Sequence, residues 1–272
     1  MKKLLQTADS VAEKILSQSQ YEMLIDFRDD LQSILSKENR HNATQIQNFK
    51  NKHQGKRCFI IGNGPSLNRT DLSKISGEYT FGLNRIYLLF DKINFVPSYY
   101  ICTNPYVIEQ SWTEIEKIAV PKFLGRAGMK YFAGKDDVFF LRSLSHPRFS
   151  YNPARGVWEG ATVTFVAMQV AYYMGFREIV LLGVDHYFKA KGNPHALVVS
   201  EGADPDHFSP DYFGKGVKWQ LPDLATSEIA YKMAKDAFEQ HSRRVVDATI
   251  NGRLSVFPKV SFDEIIETKS PS

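Results

Sequence analysis

The sequence feature that most constrains the fold is a short apolar run, residues 58–61, that breaks abruptly into a glycine-rich turn. The run is unbroken and rich in β-branched side chains, which is typical of a strand buried on both faces of a sheet. Gly62 and Gly64 permit unusual backbone angles and close approach of a ligand. Pro65 fixes the entry to a following short helix, which Ser66 can cap.

A strand that ends in such a turn is where α/β proteins bind nucleotides, because backbone N–H groups converge there on phosphate or sugar oxygens. The spacing of Gly62-Asn63-Gly64 fits neither the dinucleotide motif nor the P-loop, so neither standard phosphate motif is present. Taken alone, the turn fits a tight strand-to-helix connection as well as it fits a ligand site.

Beyond this turn, short apolar segments alternate with helical patterns. Helices are predicted at residues 163–175, which are apolar on nearly all sides, and at residues 224–241, which are amphipathic. Further strands are predicted at residues 79–84, 97–105, 120–124, 138–141, 179–185, 243–246 and 254–257. This alternation predicts an α/β fold with a Rossmann-like, doubly wound, mostly parallel sheet.

The organisation predicted from these patterns has one catalytic domain with an appendage. Residues 1–54 form an N-terminal helical extension, residues 55–266 a Rossmann-like nucleotide-binding catalytic domain, and residues 267–272 a tail. Within the domain, residues 189–222 are long, polar and irregular, which predicts a lid-like loop. The extension carries an apolar stripe of Leu24, Phe27, Leu31 and Ile34. Such a stripe favours packing on the main domain or on a second subunit, so a homo-oligomer stays open.

Composition and charge narrow the class of partner and compartment. The net charge is only +4 and the basic residues are scattered, which gives no indication of nucleic acid binding. Cys58 and Cys102 fall in predicted core strands, so we expect reduced thiols. No apolar stretch is long enough to span a membrane. We therefore expect a cytoplasmic protein, with peripheral association at the inner face of the membrane left open.

Polar residues follow several of the predicted strands. Asn63, Asn84 and Asn104 each come just after a buried strand, and Asp185 ends another. The carboxyl ends of parallel strands lie along one edge of a sheet, where ligands bind. Amides there can hydrogen-bond a base, ribose or sugar. Asp185 is suited to bind a ribose hydroxyl or a metal, or to cap the following loop.

The start of the helix at residues 163–175 and the lid-like loop supply the remaining candidates. Gly160, Ala161 and Thr162 lie where helix N–H groups are unpaired, an anion site if it faces the cleft. In the loop, His207 is flanked by carboxylates and is the best general acid or base, with His186 and His195 as weaker rivals. A metal site of Asp185, His186, Asp206 and His207 has no recognised ligand spacing, and no metal ligand is predicted.

Together these segments resemble a known family. The turn 62–67, Asn84, Asn104-Pro105 and the unit at residues 174–185 resemble the bacterial lipooligosaccharide sialyltransferases, which use CMP-sialic acid. They also resemble a broader α/β group that includes the archaeal 6-hydroxymethylpterin pyrophosphokinase, members of which lie near surface-polysaccharide genes. The resemblance covers roughly residues 55–250.

The resemblance implies a role for each part of the predicted pocket. Asn63 and Gly64 would contact the nucleotide, Tyr187 would hydrogen-bond the phosphate, and His207 would be the general base. Asn84 and Asn104 would hold ribose, phosphate or donor sugar, and the helix start would cradle cytidine or phosphate. The complete predicted nucleotide pocket is Gly62, Asn63, Gly64, Pro65, Ser66, Asn84, Asn104, Gly160, Ala161, Thr162, Asp185 and Tyr187.

Three functions remain open at this stage. The leading hypothesis is a metal-independent glycosyltransferase for surface polysaccharide, which needs no cofactor and takes a nucleotide-sugar donor, such as a CMP-linked sialic or ulosonic acid, and a glycan acceptor. The second is a Mg-ATP-dependent pyrophosphokinase acting on a 6-hydroxymethylpterin-like alcohol. Its metal and phosphate ligands would come from Asp185, Asp204, Asp206, Arg155 and Lys189. The third is a non-catalytic nucleotide- or glycan-binding protein.

Overall fold

The computed structural model describes residues 37–93 and 95–268, together with residues 17, 20 and 24. The predicted N-terminal apolar stripe, Leu24 excepted, lies outside the described residues, as do residues 269–272 of the tail predicted at residues 267–272.

The main sheet contains seven strands, all parallel, in the order β5-β4-β3-β2-β1-β6-β9. Its strands are β1 (Arg57–Ile61), β2 (Tyr79–Leu83), β3 (Tyr99–Cys102), β4 (Lys122–Gly125), β5 (Val138–Leu141), β6 (Glu178–Leu182) and β9 (Arg244–Asp247). Strands β1 to β5 extend the sheet in one direction, and β6 and β9 extend it in the other. The order therefore reverses between β1 and β6, which is where open α/β sheets bind ligands. The predicted Rossmann-like α/β fold is confirmed.

Helices cover both faces of this sheet. The α-helices are α1 (Lys37–Gln47), α2 (Phe90–Ile93), α3 (Pro105–Glu116), α4 (Met129–Phe132), α5 (Val163–Tyr173), α6 (Leu224–Glu239) and α7 (Phe262–Glu267). Side chains of α1, α5 and α6 form the core on one face, and those of α3 and α7 contribute to the core on the other. Nearly every residue of α5 is buried, as its apolar sequence predicts.

The lid-like segment is more structured than predicted. It contains a two-stranded antiparallel sheet of β7 (Leu197–Val199) and β8 (Lys218–Gln220). Phe208, Tyr212 and Phe213 are buried in the core on the α3 face. These aromatic side chains fix the segment against the main sheet.

The predicted strand at residues 254–257 is absent, and an isolated bridge joins Asp247 to Lys259 instead. Leu254 and Phe257 are apolar because their side chains enter the core on the α5 face, so this pattern reflects burial and not strand pairing. Cys58 and Cys102 are buried, free thiols, as predicted. None of the helices in the described residues is long and apolar enough to cross a membrane.

Candidate functional site

A cleft with two lobes opens at the carboxyl edge of the sheet. The inner lobe, about 150 Å³ in volume, lies at the β1–β6 switch point between residues 62–64 and residues 183–188. The outer lobe, about 530 Å³, lies beside Asn104, Glu159 and Trp219. Both lobes are lined by Asn84, Ala161, Thr162, Val163, Phe188, His207, Pro222 and Asp223. They therefore adjoin along one boundary, and His207 lies on it.

All of the predicted pocket residues except Pro65 and Ser66 line this cleft. Asn104 and Gly160 line only the outer lobe. Asn104 accepts hydrogen bonds from the backbone N–H groups of Tyr106 and Val107, at 2.9 and 3.3 Å, and so caps α3. The sheet thus brings side chains that are far apart in sequence to one cleft.

The glycine turn after β1 is held by Asp185. The Asp185 carboxylate accepts hydrogen bonds from the Ser66 hydroxyl at 2.6 Å and from the Ser66 backbone N–H at 3.2 Å. A Cβ atom at Gly64 would lie only 1.8 Å from Asp185 Oδ2. Neither Gly62 nor Gly64 has a positive φ angle, so lack of space, and not unusual backbone angles, requires the glycine at position 64.

These contacts revise two expectations. Ser66 does not cap the short helix at Pro65–Arg69, because its hydroxyl is directed to Asp185 instead. Burial raises the pKa of Asp185, and the hydrogen bonds from Ser66 and the charge of Arg69 oppose this effect. The observed contacts give Asp185 a role that the sequence did not predict, since its carboxylate fixes the turn after β1 beside the inner lobe.

Two amide oxygens in the cleft lack a hydrogen-bond donor. Oδ1 of Asn63 and Oδ1 of Asn84 are both buried and unpartnered among the described residues. The Asn84 backbone has φ of 47°, and its carbonyl oxygen accepts a hydrogen bond from the Tyr100 hydroxyl at 2.5 Å. Buried polar atoms are rarely left unpaired. A ligand with N–H or O–H groups would satisfy both oxygens.

The start of α5 forms the boundary between the lobes. Gly160 and Ala161 have φ angles of 54° and 56° in succession, and the left-handed conformation costs energy at Ala161. Thr162 caps the helix, since its hydroxyl oxygen accepts a hydrogen bond from the Thr164 N–H at 3.3 Å. Backbone strain of this kind clusters at ligand sites. Residues 161–163 line both lobes, so the first turn of α5 lies against the cleft.

His207 forms a dyad with Asp204. The distance from His207 Nδ1 to Asp204 Oδ2 is 2.8 Å, and both side chains are largely buried, with exposed fractions of 11% and 5%. The His207 ring stacks on Tyr212 at a centroid distance of 3.8 Å. Although burial opposes ionisation of Asp204, the pKa of this carboxyl is lowered by His207 and by the N–H groups of Asp206 and Phe213.

This dyad fixes the chemistry available to His207. A carboxylate at Nδ1 favours the tautomer with the proton on Nδ1, which leaves a lone pair on Nε2. Nε2 makes no hydrogen bond to the described part of the chain, and His207 lines both lobes. A base oriented by a second group is the arrangement that removes a proton from a hydroxyl.

The other acidic residues of the cleft are already hydrogen-bonded. Asp206 accepts from the backbone N–H groups of Lys189 and Ala190, at 2.7 and 3.3 Å, and thus anchors the start of the lid-like segment. Arg155 and Lys189 do not line either lobe. Within residues 37–93 and 95–268, no group of three or more His, Cys, Asp or Glu side chains is placed to hold a metal ion.

The outer lobe combines aromatic walls with carboxylates. Trp219 stacks on Phe213 at 4.9 Å with an interplanar angle of 18°. The Glu159 carboxylate accepts hydrogen bonds from the Thr103 hydroxyl at 3.0 Å and from the Ser143 hydroxyl. Neither lobe is lined by a Lys or Arg among the described residues. The cleft therefore offers acceptor oxygens and ring faces, and no cationic side chain.

Tyr187 lies at the rim of the inner lobe with 43% of its surface exposed. The Arg253 guanidinium lies over its ring, 3.8 Å from the ring centroid. His186 is paired with Glu228 at 3.1 Å, and His195 is paired with Asp223 at the same distance. Of the three cleft histidines, His207 has the most buried carboxylate partner, since Glu228 and Asp223 are 46% and 14% exposed.

Sequence patterns missed several features of this site. The sequence predicts Asp204 only as a metal ligand, although its position three residues before His207 is a local signal for a hydrogen-bonded pair. Glu159 and Trp219 are not predicted as site residues, because their place in the cleft depends on how distant segments pack. No local sequence pattern indicates such positions.

The fold and cleft define a Rossmann-like α/β protein with a cleft at the switch point of a parallel sheet. A family model described as "6-hydroxymethylpterin diphosphokinase MptE-like" matches residues 33–191, which is more than half of the chain. The chain belongs to this MptE-like family, in agreement with the resemblance found in its motifs.

One solved structure that is similar to the chain is the MAf glycosyltransferase from Magnetospirillum magneticum AMB-1, with 14% sequence identity and a TM-score of 0.47. The match covers 82% of this chain and 38% of that one. The present chain thus spans well under half of that protein's length. No curated protein sequence matches the chain.

Proposed function

We propose that this protein is a glycosyltransferase that transfers a sugar from a nucleotide-activated donor to a hydroxyl group of a glycan acceptor. The observation that supports it best is the Asp204–His207 dyad on the boundary between the two lobes. One lobe then takes the nucleotide and the other takes the acceptor. The donor in this proposal is a CMP-linked ulosonic acid, and the process is surface-polysaccharide assembly at the cytoplasmic face of the membrane.

The inner lobe is suited to the nucleotide. It brings the backbone of residues 62–64 to the first turn of α5, and the unpartnered oxygens of Asn63 and Asn84 would accept hydrogen bonds from ribose hydroxyls or a base amino group. A nucleoside monophosphate leaving group carries less negative charge than a nucleoside diphosphate, so in this proposal helix N–H groups and the Tyr187 hydroxyl are its partners.

In the proposed reaction, His207 Nε2 takes the proton of the acceptor hydroxyl. The acceptor oxygen then forms a bond to the anomeric carbon of the donor, and the bond from that carbon to the phosphate oxygen breaks. The nucleotide leaves with the bonding electron pair. Asp204 holds the imidazole in its reactive tautomer and stabilises the imidazolium that forms. No step in this scheme needs a metal ion.

A second candidate is a Mg-ATP-dependent pyrophosphokinase, since the family description names a 6-hydroxymethylpterin diphosphokinase. The stacked Trp219 and Phe213 rings beside Glu159 would also suit a pterin, whose flat ring carries N–H donors. Phosphoryl transfer from ATP requires cations around the phosphates. The lobes lack Lys and Arg, and Asp185, Asp204 and Asp206 already accept hydrogen bonds from protein groups. These contacts favour the glycosyltransferase.

Calorimetric titration of the full chain with CMP, CDP and ATP, each with and without Mg²⁺, tests the nucleotide. We expect CMP or CDP to bind without Mg²⁺. Binding of ATP that depends on Mg²⁺, with no binding of either cytidine nucleotide, would establish the second candidate instead.

Donor-hydrolysis or transfer assays with CMP-sialic acid test the base. We expect His207→Asn to lower kcat by roughly 10²–10⁴-fold while CMP binding is retained. Asp204→Asn should lower kcat by no more than His207→Asn does, and it should also retain CMP binding. Asp211→Asn, a nearby exposed carboxylate that does not contact His207, is the matched control. Full activity of His207→Asn would eliminate this mechanism and show that another residue acts as the base. CMP binding by a wild type that neither hydrolyses nor transfers the donor sugar would favour a non-catalytic binding protein instead.

A further inference from the structure

We propose that the outer lobe selects an uncharged pyranose as the acceptor, and that Glu159 and Trp219 are the residues that recognise it. This inference rests on the proposed function, since it assigns the substrate class of the second lobe. It goes further in excluding acceptors that carry a carboxylate or phosphate at the reacting sugar.

The position of the lobe supports an acceptor site. A hydroxyl that His207 deprotonates has to lie within hydrogen-bond reach of Nε2. The outer lobe is the larger of the two, with about 530 Å³ against about 150 Å³ for the inner lobe, and His207 lines both. The acceptor therefore reaches the base from the outer lobe.

The aromatic walls suit a sugar ring. Trp219 and Phe213 are stacked nearly parallel, which holds the indole in one orientation. Trp158 also lines the lobe, in edge contact with Phe165 of α5 at 5.8 Å. A pyranose has faces formed by C–H groups, which pack on ring faces as other apolar groups do. Such rings give affinity without any requirement for charge.

The carboxylates determine the sign of the charge that the lobe accepts. Glu159 is held by the hydroxyls of Thr103 and Ser143. Asp223 is held by the Thr226 N–H at 2.9 Å and the Thr226 hydroxyl at 2.7 Å, and it also contacts His195. Carboxylate oxygens can accept further hydrogen bonds from sugar hydroxyls. An anionic sugar would meet the carboxylates of Glu159 and Asp223, with no Lys or Arg among the described lining residues and with the lining His195 already paired to Asp223, which is unfavourable.

A pair of probes that differ in one group tests the inference. Methyl β-D-glucopyranoside and methyl β-D-glucuronide differ only in a hydroxymethyl group that is replaced by a carboxylate. Their binding to the full chain is measured by saturation-transfer NMR, in the presence and absence of CMP. We expect the uncharged glycoside to bind about tenfold more tightly than the glucuronide or better.

Three variants assign the preference to residues. Glu159→Gln keeps the shape of the side chain and removes its charge, so the preference for the uncharged probe should shrink several-fold. Trp219→Ala should weaken both probes, and Trp219→Phe should restore part of the loss. Glu239→Gln, on the far end of α6 and paired with Lys235, should change neither probe.

The outcomes separate this inference from the proposed function. Equal binding of both probes, or binding of neither, overturns the inference even if CMP binds. Binding of 6-hydroxymethylpterin in place of the glycosides overturns it as well and favours the second candidate. If the uncharged probe binds selectively but no nucleotide binds, the acceptor assignment loses its partner substrate, and the proposed function fails at the inner lobe.

Discussion

Gly64 and Asp185 occupy the same small space beside the inner lobe. The Asp185 carboxylate lies against the Cα atom of Gly64 and binds both donors of Ser66. The two turns that follow β1 and β6 are thereby fixed to each other. Their backbone positions depend on a side chain of one turn and on the absence of a side chain in the other.

Gly64→Ala should therefore disturb both turns. The new methyl group would overlap the Asp185 carboxylate, so we expect a loss of about 1–3 kcal/mol in the free energy of unfolding, together with loss of nucleotide binding. Urea unfolding and calorimetry measure the two effects. Gly77→Ala is the control, since a Cβ atom there meets nothing within 4 Å. Equal stability of the two variants would contradict this account of the turn.

His53 is a buried histidine far from the cleft, and it makes stability depend on pH. Its Nε2 lies 2.6 Å from the Tyr99 hydroxyl, and its ring stacks on Phe176. Burial, with a smaller contribution from the charge of Lys52, lowers the pKa of His53 from 6.5 to about 4. The unfolded chain thus takes up this proton at a higher pH than the folded protein does.

The contribution of His53 is present in full above the unfolded pKa of 6.5 and is lost as the pH falls toward about 4. We expect the wild type to lose about 1–3 kcal/mol more than His53→Gln across this interval. Thermal unfolding at a series of pH values measures the difference. His41→Gln, at an exposed position, should follow the wild type. A parallel decline of wild type and His53→Gln would show that His53 is not responsible.

Among the secondary-structure elements, the β7–β8 hairpin is joined to α3 by the Gln110 side chain, in addition to the aromatic contacts of the segment between its two strands. Gln110 of α3 donates to the carbonyl oxygen of Lys218 at 2.8 Å and accepts from its N–H at 2.9 Å. The Gln110 amide thus bonds both backbone groups of Lys218, as a residue of a neighbouring strand would. The hairpin also forms one wall of the outer lobe through Trp219 and Gln220.

Gln110→Ala should loosen the hairpin without unfolding the domain. We expect faster amide hydrogen exchange in β7 and β8 and unchanged exchange in β1 and β6. Glu109→Ala, the exposed neighbour on the same helix, is the matched control. If exchange in the hairpin is unaltered, the aromatic contacts alone hold it in place.

The main sheet could be predicted from sequence because its strands are short apolar runs that end in Gly, Asn or Asp. The hairpin could not, since β7 and β8 are three residues each and only partly buried. The position of the inner lobe could be predicted from the residues at the strand ends. The outer lobe could not be predicted, because Glu159, Trp219 and Asp223 are brought together only by packing between segments that are far apart in the chain.

For the molecule as a whole, Arg57 joins the start of β1 to the C-terminal helix. It is only 2% exposed, pairs with Glu78, and donates to the carbonyl oxygens of Ile265 at 2.7 Å and Thr268 at 3.0 Å. Arg57→Met keeps the volume and removes every donor. We expect a loss of about 3–5 kcal/mol, because the buried partners lose their cation.

Denaturant unfolding measures this loss. Lys56→Met is the control, because Lys56 is the exposed residue that immediately precedes Arg57. Limited proteolysis after residue 260 should also become faster in Arg57→Met alone. Equal unfolding midpoints for the two variants would mean that α7 docks through its apolar side chains without help from Arg57.

The burial of Phe208, Tyr212 and Phe213 in the core couples the lid-like segment to unfolding of the whole domain. His207 packs on the rings of Tyr212 and Phe213, so the segment that carries it cannot detach without exposing core surface to water. His207 is therefore part of a cooperative folding unit and not of an independent flap. On heating, the Asp204–His207 pair and the native core should be lost in a single transition. A damaged copy would then unfold and become a substrate for proteolysis, and would not persist as a folded protein with a disordered cleft.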